Sequence, residues 1–173
     1  MNSTIQKRFD AIETQRIDLF QSLKHVSAEK LNFQPEGKWS INHIIAHMIA
    51  AERLSVIYLT KKIQAIDEVE DTGLIEELKM IGLIISQRLP FKFKAPRIVI
   101  ENTAKNQDIS QLQQDWIAVR EDLKIILEKF SDDQIKRSIY KHIRAGKLNI
   151  QHALIFFGEH VIHHRPQINK LLS

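Results

Sequence analysis

Apolar residues recur at helical spacing along four long stretches of the chain. Ile5, Phe9, Ile12, Leu19, Leu23 and Val26 form one stripe, interrupted once by Arg16, and predict a helix from about Ser3 to Val26. A second helix is expected from about Ile41 to Ile66. Its first half, with Ile41, Ile44, Ile45, Met48, Ile49 and Ala50, has so little polar surface that it must be buried on more than one side. Leu112, Trp116, Val119, Leu123, Ile126, Leu127 and Phe130 place a third helix over Ile109 to Phe130. A fourth runs from about Ile150 to Leu171, with Ala153, Phe157, His160, His164, Ile168 and Leu171 along one face. Ser40 and Asn149 stand where the second and fourth helices need side-chain caps. Pro166 removes one backbone hydrogen bond from the fourth and predicts a kink or early fraying near Ile162 and His163.

The segments between these stripes are uneven. Ser27, Glu29, Pro35 and Gly37 mark a connection that ends at GKWS. Asp67 to Asp108 is the least regular part. Within it Thr72–Gln87 holds a short helical pattern (Leu74, Leu78, Ile81, Ile84, Ile85), followed by LPFKFKAPRIVIEN, where Pro90 and Pro96 favour extended backbone. So long a connection in a compact domain is functional or packs as a crossover. It is expected to wrap across the other helices and shape the entrance to a site. The resulting fold class is all-α: one domain over residues 1–173, a four-helix bundle with a long crossover between helices two and three.

Composition narrows this picture. Five Gly and four Pro supply too few turns for a many-stranded sheet, and with no Cys there is no disulfide framework, thiolate metal site or cysteine nucleophile. Net charge is +4, but it is unevenly spread: Asp67–Glu77 holds six acids and no base, Lys136–Lys147 five bases and no acid. At so modest a net charge the basic stretch reads as a solvated linker and helix end rather than a nucleic-acid contact. The first residues lack a secretory apolar core and no run approaches a membrane span, so a soluble cytoplasmic protein without a membrane partner is expected.

Candidate chemistry lies in the histidines. His160 and His164 stand one turn apart on the apolar face of the fourth helix, and His47 sits in the apolar half of the second. A buried neutral imidazole must still place a donor and an acceptor. The rings either find other side chains in the core or turn together toward a metal. In four-helix bundles such sites are built from inward side chains on facing helices.

The pattern GKWS-x6-H at Gly37–His47, followed by Glu52, and the ending H-x3-H-x2-QI at His160, His164, Gln167 and Ile168 resemble the two signatures of the DinB-like superfamily. The FKFKAP segment at Phe91–Pro96 is similar to a feature of its DinB_2-type members, and the likeness runs over essentially the whole chain. The resemblance implies a four-helix bundle, a homodimer, and a divalent metal held by a histidine triad, here His47, His160 and His164. His163 then points to solvent or a neighbouring helix, and His25, His43, His142 and His152 are left as structural.

Three neutral imidazoles suit Zn²⁺, Ni²⁺ or Fe²⁺ and leave a coordination position open. Gln167 ranks first as the partner of a ligand's second nitrogen, ahead of Glu52 and Glu159. Glu52 is expected to be the first exposed residue of its helix rather than a general base. The resemblance implies a metal-dependent enzyme, a hydrolase or a transferase using a small-molecule thiol against an electrophile. The alternative is a non-catalytic stress or binding protein that the metal staples together.

Overall fold

The computed structural model describes residues 1–89 and 94–173. In chain order the elements are α1 (Ser3–Leu23), α2 (Ala28–Asn32), α3 (Ile41–Lys62) with a 3-10 continuation (Ile63–Glu68), α4 (Leu74–Arg88), α5 (Arg97–Asn102), α6 (Ile109–Leu127), β1 (Tyr140–His142), β2 (Gly146–Leu148) and α7 (Ile150–Leu172). The long helices α1, α3, α6 and α7 are the four expected. α3 lies against α6 and α7, and α1 against the same two, so the four close a ring in the order α1, α7, α3, α6. α4 packs on the outside of α7 and α5 on α3. Pro90 to Phe93, part of the expected extended segment and of FKFKAP, lie outside the described residues.

Local chemistry sets the helix starts. The side chains of Asn2, Ser27, Ser40, Asp108 and Asn149 each accept a hydrogen bond from a backbone N–H of the first turn, satisfying donors that the helix itself leaves open. Ser27 thus begins a one-turn helix that the sequence reading treated as a connection. The apolar stripes meet in one core, where Ile5, Leu19, Ile45, Leu59, Trp116, Leu123 and Phe157 are inaccessible to solvent.

Three expectations are corrected. Glu52 is not exposed: it is buried, and its carboxylate accepts from Trp116 Nε1 at 2.9 Å and from Arg120 Nε and Nη2 at 2.7 Å each. Arg120 also lies 3.6 Å from Glu13, which in turn pairs with Arg16 at 2.9 Å. The charge that interrupts the first stripe therefore belongs to a polar seam through the bundle. The basic stretch is not a linker and helix end. Tyr140–His142 and Gly146–Leu148 form an antiparallel hairpin, with Gly146 in the left-handed region that suits a residue lacking Cβ. It follows a segment sewn to the acidic stretch by Thr72 N–H to Lys136 O at 2.8 Å, Ser138 N–H to Glu70 O at 2.9 Å, and Arg137 against Asp71 at 3.5 Å. Finally, α7 does not fray near Ile162 but runs on through Pro166 to Leu172. Buried Ile168 and the bond from Arg165 Nη1 to Ser22 Oγ at 3.1 Å hold its last turns to the bundle.

Removing one member of a buried ion pair leaves the other charge uncompensated. Arg120→Met should cost about 3–5 kcal/mol in chemical denaturation, while Glu52→Leu combined with Arg120→Met should recover most of that loss. Equal loss in the single and double variants would show that packing, not the stranded carboxylate, sets the cost.

Candidate metal centre

α3 and α7 lie against each other in the ring and bring three histidines to one point. His160 and His164 face inward on successive turns of α7, and His47 meets them from the middle of α3. All three are buried, and one ring nitrogen from each lies within 4.8 Å of the others. The Nε2 atoms of His160 and His164 are 3.1 Å apart. Two nitrogens bound to one tetrahedral ion, each ~2.0–2.1 Å from it, stand ~3.3 Å apart. The donors are thus near the spacing a single ion needs.

Electrostatics keeps the rings neutral. Burial holds His47 down at about 4, helped by His43 and His163, and holds His164 at about 3, helped by His47 and opposed by Gln167. Burial also pushes His160 well below the usual imidazole value, with its histidine neighbours adding to the effect. Neutral imidazole is the form that offers a lone pair to a metal. Gln167 Oε1, 3.1 Å from His164 Nδ1, accepts from that nitrogen, so the Nδ1–H tautomer is set and the Nε2 lone pair turns inward. His47 Nδ1 is buried without a hydrogen-bond partner, the kind of orphan that an absent ligand explains.

The surroundings agree in part with the sequence reading. Gln167, ranked first, takes the partner position, and His163 turns to a neighbouring helix, donating from Nδ1 to Gln87 O of α4 at 2.7 Å. Glu159 does not serve a ligand: it accepts two bonds from Arg88, at 2.8 and 2.6 Å, and Glu52 is held by Arg120. Of the histidines left as structural, His43 stacks on Trp39, and buried His152 donates from Nε2 to Glu77 at 3.1 Å. His25 is exposed.

Other residues of the site escaped the sequence reading. Trp39 tilts over His47 at 5.0 Å, and Phe156 stacks on His160 at 5.5 Å. The hairpin adds buried Tyr140, 3.1 Å from Ser55 Oγ, and His142, packed edge-on against Phe156. The alternation of Tyr140 and His142 with Lys141 and Ile143, ahead of Gly146, was a signal for this hairpin.

The triad lies at the floor of an open cleft of about 1430 Å³. Trp39, Tyr58, Tyr140 and Phe156 give it aromatic walls, and Arg88, Leu89, Ala95 and Pro96 show that the crossover does shape the entrance. The rim carries Lys30, Lys38, Lys94, Lys141, Arg144 and Lys170, and no Asp or Glu lines it among the described residues.

The family model for the DinB superfamily (DinB_2) matches residues 11–168. No curated protein matches the chain in sequence. Among solved structures, YfiT from Bacillus subtilis, described as a probable metal-dependent hydrolase with an unusual four-helix bundle topology, is similar in fold. The identity is 15% and the TM-score 0.60, covering 99% of this chain and 87% of that one.

His142 gives the site a pH-dependent wall. Its Nδ1 accepts from the backbone N–H of Arg144 and Ala145, each at 3.2 Å, so a second proton has no place there. Burial, with the charge of Arg144, lowers it to about 4; Lys141 neighbours it in the strand, and His160 lies beyond Phe156. A base held below its unfolded value of 6.5 stabilises the fold above that pH and loses the contribution as pH falls through 4. The loss is on the order of 3 kcal/mol. His142→Gln should make the fall in stability of the metal-free protein between pH 6.5 and 4 shallower by about one proton's worth in urea titrations, the triad histidines supplying the rest; an unchanged slope would refute this account.

Proposed function

The chain belongs to the DinB superfamily, and we propose that it is a metal-dependent enzyme whose divalent ion is held by His47, His160 and His164. The observation that carries this reading is the convergence of three neutral imidazoles, with one Nε2 pair 3.1 Å apart, at the floor of an open cleft. Zn²⁺, Ni²⁺ or Fe²⁺ suits such a donor set. Bound there, the ion would supply a Lewis acid that lowers the pKa of a water or thiol in its open position. Residues 1–173 carry the function as one domain. A metal that only stapled the helices together would need no such room above it, so the cleft favours reaction over a purely structural role.

The chain's own residues prepare the rest. Gln167 fixes the His164 tautomer, Phe156 holds the His160 ring, and Trp39 keeps water from one face of His47. Burial pushes the Tyr140 hydroxyl up to about 12, partly opposed by its bond with Ser55, so it remains a hydrogen-bond donor on the cleft wall. The donor set brings no negative charge, and the nearby carboxylates Glu52 and Glu159 are committed to arginines. With a cationic rim over aromatic walls, the cleft fits an anionic substrate with an apolar body. Hydrolysis, as named for YfiT, and transfer to a small-molecule thiol both make use of such a site.

Protein purified without a histidine tag should carry about one equivalent of metal, and His47→Ala, His160→Ala and His164→Ala should each lose it. Gln167→Leu should weaken binding about 10–100-fold while leaving the fold intact. A wild-type protein that holds no metal and cannot be loaded with Zn²⁺, Ni²⁺ or Fe²⁺ overturns the reading. For the substrate class, Trp39 is a built-in reporter, since the other tryptophan, Trp116, is fully buried. An aromatic carboxylate should quench its fluorescence with a salt-sensitive affinity, and the neutral amide of the same ring should bind far more weakly. Equal affinities would remove the electrostatic part of the proposal.

A further inference from the structure

Outside α4, the large apolar side chains most exposed to solvent are Ile143 at 72%, Phe33 at 58% and Ile98 at 58%. They lie in the hairpin turn, just past the end of α2 and on α5, far apart in sequence, yet all three line the mouth of one cleft. Each has a lysine close by in its own segment: Lys141 two residues before Ile143, Lys30 three before Phe33, Lys94 four before Ile98. These lysines line the mouth as well, and among the described residues none of them is in an ion pair. Exposed apolar residues ordinarily stand singly and scattered. Here a bulky apolar side chain and a lysine recur together on three sides of one opening.

From this we infer that the mouth of the cleft docks on an anionic lipid surface. Phe33, Ile98 and Ile143 enter the head-group boundary, and Lys30, Lys94 and Lys141 meet the lipid phosphates. A surface contact of this kind asks for apolar side chains to give depth and cations to give attraction. It needs no spanning segment, and among the described residues no helix is long and apolar enough to cross a membrane. Charge selects this face over the other apolar one. The exposed strip of α4, with Leu74, Leu78, Ile81 and Ile85, is flanked by Glu76, Glu77 and the acidic run before them, which an anionic surface repels. At the mouth Lys38 and Lys170 add further cations, and Glu36, on the loop with Lys38, does not line it. A nucleic acid would engage the lysines and leave Phe33 and Ile143 in water; an apolar protein face would do the reverse. An anionic bilayer engages both.

Docking in this way turns the opening above His47, His160 and His164 toward lipid. An anion with an apolar body is then met at the bilayer rather than drawn from bulk water. That consequence rests on the metal-dependent reading given above. The docking itself does not, and the metal-free protein is expected to bind equally.

Vesicles of equal parts phosphatidylglycerol and phosphatidylcholine should carry the full chain in flotation, with or without chelator, and phosphatidylcholine alone should not. Raising salt from about 0.1 M to about 1 M, which shortens the Debye length from ~10 to ~3 Å, should release most of it. Lys141→Gln should weaken binding about fivefold, and the triple variant with Lys30→Gln and Lys94→Gln about a hundredfold. Ile143→Ser should cost at least about tenfold, whereas Ile81→Ser on α4 and Ile125→Ser on α6 should change nothing. Because the chain has no cysteine, single replacements also report geometry. An environment-sensitive dye on Ile143→Cys should shift to the blue on the anionic vesicles, and the same dye on Ile125→Cys should not. Circular dichroism checks that each variant folds, and the dye tests docking even if a lysine variant does not. Excess glycerol 3-phosphate should leave the protein on the vesicles. Binding to neither vesicle, equal binding to both, loss through Ile81→Ser in place of Ile143→Ser, or release by glycerol 3-phosphate overturns the proposal. So does a change of sedimenting mass in Ile143→Ser, which would mean that a second copy covers the mouth.

Discussion

Neutral imidazoles do not sit idle in a helical core. Each ring brings a donor and an acceptor that must be met, and here three rings share one small volume between α3 and α7. Burial keeps them uncharged, so they repel little, and the Nε2 atoms of His160 and His164 approach to 3.1 Å. That leaves a pocket of electron pairs in the middle of the bundle. Much of the surrounding structure serves to hold those lone pairs in place: Gln167 sets one tautomer, Phe156 and Trp39 wedge two rings, and the hairpin packs His142 behind Phe156.

The same constraint accounts for where the carboxylates went. A free carboxylate beside these rings would raise their pKa values and favour the protonated form in the metal-free protein. Glu52 is one turn and a residue beyond His47 on α3, but it turns to Arg120 and Trp116 on α6; Glu159 adjoins His160 but turns outward to Arg88. Each of these two acids thus has an arginine from another element. These pairs also tie α3 to α6 and α4 to α7, so the electrostatic separation of the site and the docking of the helices are one arrangement.

What was legible in the chain was local. Stripes at helical spacing and capping residues such as Ser40 and Asn149 act within a few residues, and they located the four helices to within about one turn. The histidine positions followed because their spacing on α7 and the apolar run around His47 are also short-range. What stayed hidden depends on partners far along the chain. Glu52 looked exposed because Arg120 lies 68 residues away. The basic stretch looked like a linker because the acidic stretch that receives it precedes it by a similar distance. Pro166 looked disruptive because the contacts that hold the end of α7 come from α1.

Charge sorting across the whole molecule follows from these pairings. The two biased runs, one acidic and one basic, partly consume each other where Asp71 meets Arg137. Lys141 of the hairpin joins Lys38, Lys94 and Lys170 from three other segments at the mouth of the cleft. A small excess of positive charge, trivial as a sum of +4, becomes a directed field once the acids are spent elsewhere. The cleft is therefore cationic at its rim, aromatic along its walls and electron-rich at its floor. An anion guided in by the rim would meet the triad's nitrogens at the floor, where a cation held among them would complete the electrostatic match that the rim begins.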